Sequence, residues 1–512
     1  MLFNSDIFLF LFLPTVLFGF YLLGYFRQLN AALFWLVIAS LFFYGWWNPA
    51  YLVLLAASIV VNFIVGSRMQ KQQGSKAAKT LLMIGVLFNL GLLGYFKYAN
   101  FFVDSINFTF GSSYHLDKII LPLAISFFTF QQIAYLVDVY QGKAREYNFL
   151  HYCLFVTFFP QLIAGPIVHH EEMMPQFMGK NLGRLVTSDL AIGISVFMLG
   201  LFKKMVFADN VAVYATPVFS AADAGQTITF VQGWVGALSY TLQIYFDFSG
   251  YSDMAIGLAR MFGVRLPLNF NSPYKAHSIV DFWRRWHMTL SRFLRDYVYI
   301  PLGGNRLGNS RRYTNLMIVM LVGGLWHGAG WTFVVWGGLH GSYLLINHAW
   351  RGLRKGKEDG LFLRCLYPVL TMLAVIVAWV FFRAETFTGA TEILYAMAGG
   401  NGIQAPEWMT QVKGFARLVR MSGLEAVPMS GVPLEAMQLI VFLFLIAFLM
   451  PNTQQIMRNY MEPAFYSIQP VSRWVQRICF EPNLFYAVAL GVLSAMTITT
   501  LWQTSEFLYF QF

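Results

Sequence analysis

The sequence predicts an all-α polytopic membrane protein, and three observations carry that prediction. Apolar runs of about 20 residues, the length that crosses a bilayer as a helix, recur from one end of the 512-residue chain to the other. Hydrophobic residues make up 57% of it and charged residues 12%, roughly half the charged share of an ordinary soluble domain. The runs are continuous rather than alternating, which excludes a transmembrane barrel built from strands of ~10 residues. The net charge of +11 does not point to nucleic acid. Its basic residues gather between the apolar runs, as orientation in a membrane requires.

Taken in order, 7–25, 31–47 and 50–66 read as the first three spans, broken at Arg27 and at Asn48-Pro49. The first lacks a basic lead and a small-residue cleavage site, so it reads as a retained span rather than a signal peptide. Arg68, Lys71, Lys76 and Lys79 fill the next loop without an acid, which predicts that it is cytoplasmic and that the N-terminus is outside. Spans follow at 80–96 and 119–140. The segment 149–168 is interrupted by Pro160 and Gly165-Pro166, the signature of a kinked or re-entrant helix. Further apolar stretches lie at 190–207 and 228–258, the second long enough to be tilted or split.

Residues 260–312 carry ten Lys/Arg against two Asp, a charge of +8 that predicts a cytoplasmic loop. Residues 316–346 are apolar, and Arg351, Arg354, Lys355 and Lys357 follow them. A segment that starts and finishes on one side must turn inside the membrane, and the glycines of GGLWHGAGW ease that turn. Span 365–382, a roughly neutral external loop at 383–433, and spans 434–450 and 484–502 complete the chain, the loop with Arg458, Arg473 and Arg477 facing the cytoplasm. About eleven membrane segments result. They form a single integral-membrane domain over 1–512, with N-terminal helices (1–260), a basic loop plus catalytic hairpin (260–347) and C-terminal helices (348–512).

A helix over 282–297 would place Trp283, Trp286, His287, Leu290 and Leu294 on one face and Arg285, Arg292 and Arg295 on another. His287 then lies on the buried face, where it is either functional or a structural histidine bonded to a carbonyl. His327 sits among glycines in the apolar hairpin. An ionisable residue at membrane depth is a functional candidate by default, and neutral imidazole can take a proton from a hydroxyl. A satisfied core histidine is the alternative. His340 lies 13 residues on, far round a continuous helix from His327, and reads as structural. Asp138, Asp247, Asp253, Lys203 and Lys204 are expected to pair with one another or with the basic loop. HExxH, HxxxxD, GxSxG, Walker A and GxGxxG patterns are absent from the sequence, and Cys153, Cys365 and Cys479 are dispersed in apolar company, so no metal centre or disulfide framework is expected.

The stretches LFNSDIFLFLFLP, FFPQLIAGPI, YFDFSGYSDMAIGLARMFG, LNFNSPYKAHSIVDFWRRWHMTLSRFLRDYVYIPLGGNR and GGLWHGAGWTFVVWGGLHG resemble the membrane-bound O-acyltransferase (MBOAT) family, in its bacterial alginate O-acetylation branch. The resemblance runs from residue 2 to about residue 382; beyond it the match is only in further spans. It implies the family fold of about eleven transmembrane or re-entrant helices around a central histidine-lined tunnel. Within that fold, His327 takes the place of the essential WHG histidine and His287 that of the second one.

It further implies an O-acetyltransferase of the bacterial inner membrane, taking acetyl from cytoplasmic acetyl-CoA. The acceptor would be an exported, alginate-like polysaccharide, with a periplasmic acetyltransferase as partner, the lipid bilayer as setting and no permanently bound cofactor. The phosphates of coenzyme A suit the basic loop. There Trp283, Arg284, Arg285 and Arg306 are the candidate donor contacts, with Arg311 and Arg312 beside them, although each arginine also satisfies the orientation rule. The rivals are D-alanyl transfer from a carrier protein, a transporter using buried Asp and His as an ion path, and an inactive scaffold.

Overall fold

The computed structural model describes residues 1–145, 148–179, 182–411, 413–422, 426–427, 433–461, 473–501 and 508. Helices dominate; one two-residue parallel pairing joins Ala405–Pro406 to Ala426–Val427. Among the described residues, five helices are long and apolar enough to cross a bilayer: Phe8–Tyr25, Ala50–Lys71, Lys76–Phe110, Thr187–Asp223 and Leu361–Arg383. Leu29–Gly45, Leu434–Leu449 and Leu484–Thr499 are shorter apolar helices. Phe10, Leu11, Phe18, Val53, Leu87 and Val488 are exposed on these helices, an apolar surface that water would not tolerate and lipid does. The protein is therefore a multi-pass membrane protein. Parts of the expected 383–433 loop, most of the connection after residue 461 and the end of the last expected span fall outside the described residues.

The chain divides into two compact units. The first comprises Met1–Phe202, Gly250–Asn269 and Thr453–Gln503. Its interrupted segment breaks as expected: Asn148 caps helix Phe149–Thr157, Phe158 leaves helical geometry (ψ 106°), and a four-residue helix Phe159–Leu162 follows. Pro160 sits in the first turn, where a missing N–H costs nothing. The Phe159 N–H, freed by the break, donates to Ser40 Oγ at 3.1 Å. Asn62 and Asn89 bond amide to amide at 2.6 and 3.2 Å across helices Ala50–Lys71 and Lys76–Leu93, a polar tie of the kind that holds helices together in lipid.

The second unit comprises Lys203–Ser249, Phe270–Asn452 and Thr504–Phe512. Phe230–Met261 is one unbroken 32-residue helix rather than a split one; its residues to Ser249 belong here. The expected hairpin is present as helices Gly308–His327 and Trp331–Leu353, joined by an extended Gly328-Ala329-Gly330 turn. Two glycines permit its close packing. A Cβ at Gly324 would lie 2.3 Å from the Phe333 carbonyl oxygen, and one at Gly337 2.4 Å from that of Met320. Only a residue without a side chain lets the two backbones approach so closely.

The expected single helix over 282–297 is corrected. Ile279–Trp283 and Met288–Leu294 are separate short helices, followed by a π-helical turn Arg295–Tyr299. The break falls at His287, whose φ of 42° is left-handed, a conformation that costs a residue with a Cβ on the order of 1 kcal/mol or more. Carbonyls released by the break find other donors: Arg285 O accepts from Asn271 N at 2.9 Å, and Trp283 O from Ser291 Oγ at 3.2 Å. The interruption turns Trp286 and His287 inward together, and both are buried.

Candidate active site

The site lies in the second unit and begins with the hairpin. His327 closes the first hairpin helix, just before the glycine turn, and is 8% exposed. Its ring packs edge-on against Trp326 (4.9 Å between centroids), Trp336 (5.1 Å) and Phe382 (5.0 Å). His287, from the broken helix, is fully buried and stands 6.3 Å from His327, centroid to centroid, with Phe248 (4.8 Å) on its other side. Two histidines 40 residues apart in sequence thus share one aromatic enclosure. Desolvation pushes the His287 imidazole down to about 3, so it serves as a neutral hydrogen-bonding group.

A cavity of about 20 Å³ opens at this place, walled by Asp247, Phe248, Trp286, His327, Trp379 and Phe382 among others. That is room for one water-sized group. Its walls are mostly aromatic, so a group held there is shielded from bulk water while an imidazole faces it. Trp379 packs tilted on Trp286 (4.9 Å) and edge-on against Phe382 (5.2 Å) and closes the enclosure.

His340 also belongs to this cluster. It is fully buried, accepts a hydrogen bond at Nδ1 from Trp283 Nε1 (3.3 Å), and packs against Trp336 at 4.8 Å. The angular reasoning that set it apart from His327 assumed one continuous helix. The two stand instead on opposite arms of the hairpin, so the winding angle between them has no meaning.

The predicted donor contacts separate into two kinds. Trp283 is half-buried and tied to His340, and Arg285 is bound to Asp281 at 2.9 Å and to the Asn271 carbonyl at 3.4 Å. Arg284 and Arg306 are exposed, and Arg312 donates to the ring of His348 at 2.9 Å. Of the buried charges expected to pair, Lys204 and Asp247 do so with each other. Lys204 binds Asp209 (2.6 Å) and Asp247 (2.7 Å) in the second unit; Gln454 donates to Asp253 (2.7 Å) in the first, where Asp138 stands 3.9 Å from His169.

Asp247, Trp336, Trp379 and Phe382 were not selected as site residues from the sequence. Asp247 alone carried a signal there, as an ionisable residue inside an apolar run; the aromatic residues look like any other core positions until the fold assembles them.

Residues 141–380 match the model of the membrane-bound O-acyltransferase family. The chain is 43% identical to the peptidoglycan O-acetyltransferase of Helicobacter pylori, across 90% of this chain and 91% of the relative. It is 45% identical to the probable alginate O-acetylase of Pseudomonas aeruginosa, across 78% of this chain and 75% of the relative. With the teichoic acid D-alanyltransferase of Streptococcus thermophilus it shares 30% identity over 46% of this chain and 58% of the relative.

Proposed function

This chain belongs to the membrane-bound O-acyltransferase family and is a membrane O-acetyltransferase; from that premise we propose that it takes acetyl from acetyl-CoA and delivers it for O-acetylation of an exported cell-envelope polysaccharide. The observation that carries the reading is the pairing of His327 and His287 in one buried enclosure, with His327 on the wall of a cavity only large enough for a small group.

In this reading the acceptor hydroxyl enters the cavity and its proton passes to an imidazole nitrogen of His327 as the oxygen attacks the thioester carbonyl carbon. The tetrahedral intermediate collapses, the C–S bond breaks, and the leaving thiolate takes the proton back from the imidazolium. General-base assistance of this kind contributes about 10²–10⁴-fold. Neutral His287, 6.3 Å away, orients the reacting groups by hydrogen bonding. The tryptophan walls keep out water, which would otherwise hydrolyse the thioester. Arg284 and Arg306, exposed on the basic segment, receive the phosphates of the donor from the cytoplasm, beside the indole of Trp283. The membrane is the bacterial inner membrane, and the hydroxyl acetylated in this step belongs to a periplasmic acetyltransferase, which passes the acetyl group on to the polysaccharide as final acceptor.

A second reading of the acceptor rests on coverage. Similarity to the peptidoglycan O-acetyltransferase spans 485 residues, whereas that to the alginate O-acetylase spans 403. Peptidoglycan is therefore favoured over an alginate-like polymer.

The test is transfer of radiolabelled acetyl from acetyl-CoA by the purified protein in vesicles, with the wild type beside His327→Ala. Release of CoA by the wild type, lost in a variant that still elutes as a single folded species, is the expected result. Full activity of the variant overturns the role of His327. A wild type that ignores acetyl-CoA but accepts an aminoacyl carrier protein moves the assignment to D-alanyl transfer; ion flux without acyl transfer moves it to a transporter.

A further inference from the structure

We infer that Asp247 is a positioning residue of the acetyl transfer, a buried carboxylate that stabilises the positive charge His327 acquires when it takes the acceptor's proton; this rests on the reading of His327 as general base. Asp247 is 1% exposed and lines the same cavity as His327. The next residue, Phe248, packs on His287 and also lines that cavity. The turn of helix Phe230–Met261 that carries Asp247 is thus a wall of the reacting centre.

A purely structural ion cluster does not account for the arrangement. Lys204, 2% exposed, is held by Asp209 at 2.6 Å. Asp247 adds a second carboxylate on the same ammonium, at 2.7 Å. Burying a further anion is costly, and apolar residues of similar volume often replace such groups without loss of stability. Asp247 is also the one of the two that faces the cavity. Nearby, Lys203 donates to Ser249 Oγ at 3.3 Å, and the Arg383 guanidinium lies over the Phe219 ring at 5.6 Å.

In the reaction, no bond to Asp247 forms or breaks. The hydroxyl proton moves to His327, the imidazolium exists in a low-dielectric enclosure until the thiolate reclaims the proton, and the carboxylate offsets its charge meanwhile. Lys204 fixes the carboxylate beforehand, so little reorganisation is needed at the moment of transfer. Preorganised electrostatic groups of this kind are where large catalytic effects reside.

The test compares Asp247→Asn with Asp209→Asn in the acetyl-CoA assay. Asp247→Asn is isosteric and leaves the Lys204–Asp209 pair intact; Asp209→Asn removes the other carboxylate of the same lysine. The expected result is a fall in kcat of about 100-fold for Asp247→Asn with KM for acetyl-CoA within threefold, near-wild-type kcat for Asp209→Asn, and partial recovery in Asp247→Glu. Two results overturn the inference: kcat of Asp247→Asn within twofold of wild type, or loss of activity only in step with loss of the folded, monodisperse fraction. His327→Ala separates the premises. If it is inactive while Asp247→Asn is not, only this inference falls; if it is active, the general-base reading falls first.

Discussion

Each unit of the molecule buries histidines among aromatic rings, and the two settings differ in one respect. In the first unit His169 and His170 are 7% and 3% exposed, with the His170 ring against Tyr135 (5.3 Å) and Phe155 (5.5 Å). They start helix His170–Phe177: the His169 N–H donates to Glu172 Oε2 at 3.0 Å, as a helix N-terminus requires. Gln176 in turn clasps Arg265 through two backbone bonds of 2.8 and 3.0 Å. In the second unit His327 is buried to a similar degree, 8% exposed. It ends a helix, and its ring borders a cavity. Burial alone therefore does not distinguish the two settings. What is seen at His327 is a ring that borders a small cavity.

Substitutions can break this comparison or sharpen it. His327→Ala should lower kcat for acetyl transfer by about 10³-fold or more, read as CoA release, with the folded fraction unchanged; activity within tenfold of wild type would erase the contrast. His287→Asn should lower kcat by roughly 10–100-fold and leave the melting temperature near wild type, because asparagine tolerates the left-handed backbone. His287→Ala should lose the same activity and also melt earlier, because removing the buried ring that packs on Phe248 leaves a cavity costing on the order of 2 kcal/mol.

His169→Ala should behave oppositely. Loss of the buried imidazole beside Asp138 should cost about 1–3 kcal/mol, seen as a lower melting temperature, while kcat per folded molecule stays within twofold. A loss of kcat in the folded protein would give the first-unit histidines a chemical role. The smallest effect is expected from Arg284→Gln with Arg306→Gln. KM for acetyl-CoA should rise about threefold to tenfold, more at low ionic strength than at high, with kcat unaltered; a KM unmoved at low salt would remove both from the donor site.

Much of the architecture was legible beforehand because its signals are local. A 20-residue apolar run, a proline after Phe159 and a glycine cluster beside Trp326 each act within a few residues, and the spans, the break at Phe158 and the hairpin turn follow from them. The left-handed His287 was not legible. Helical spacing over 282–297 is as good as that of a continuous helix, and local propensity contains no reason to stop there. The break exists because packing Trp286 and His287 against Phe270, Tyr274, Phe248 and Trp379 outweighs the cost of one strained residue.

By itself the sequence determined the class of molecule, the positions of its apolar helices, and the two histidines on which acyl transfer would rest. Hydropathy and backbone chemistry are properties of short stretches, so they can be read from a short stretch. Only the tertiary structure decided that His327, His287 and His340 share one enclosure, that Trp379 and Phe382 close it, and that Asp247 looks into the same cavity. Those contacts join residues tens to more than a hundred positions apart. They are selected by the burial and packing of whole helices against one another, which no local pattern encodes.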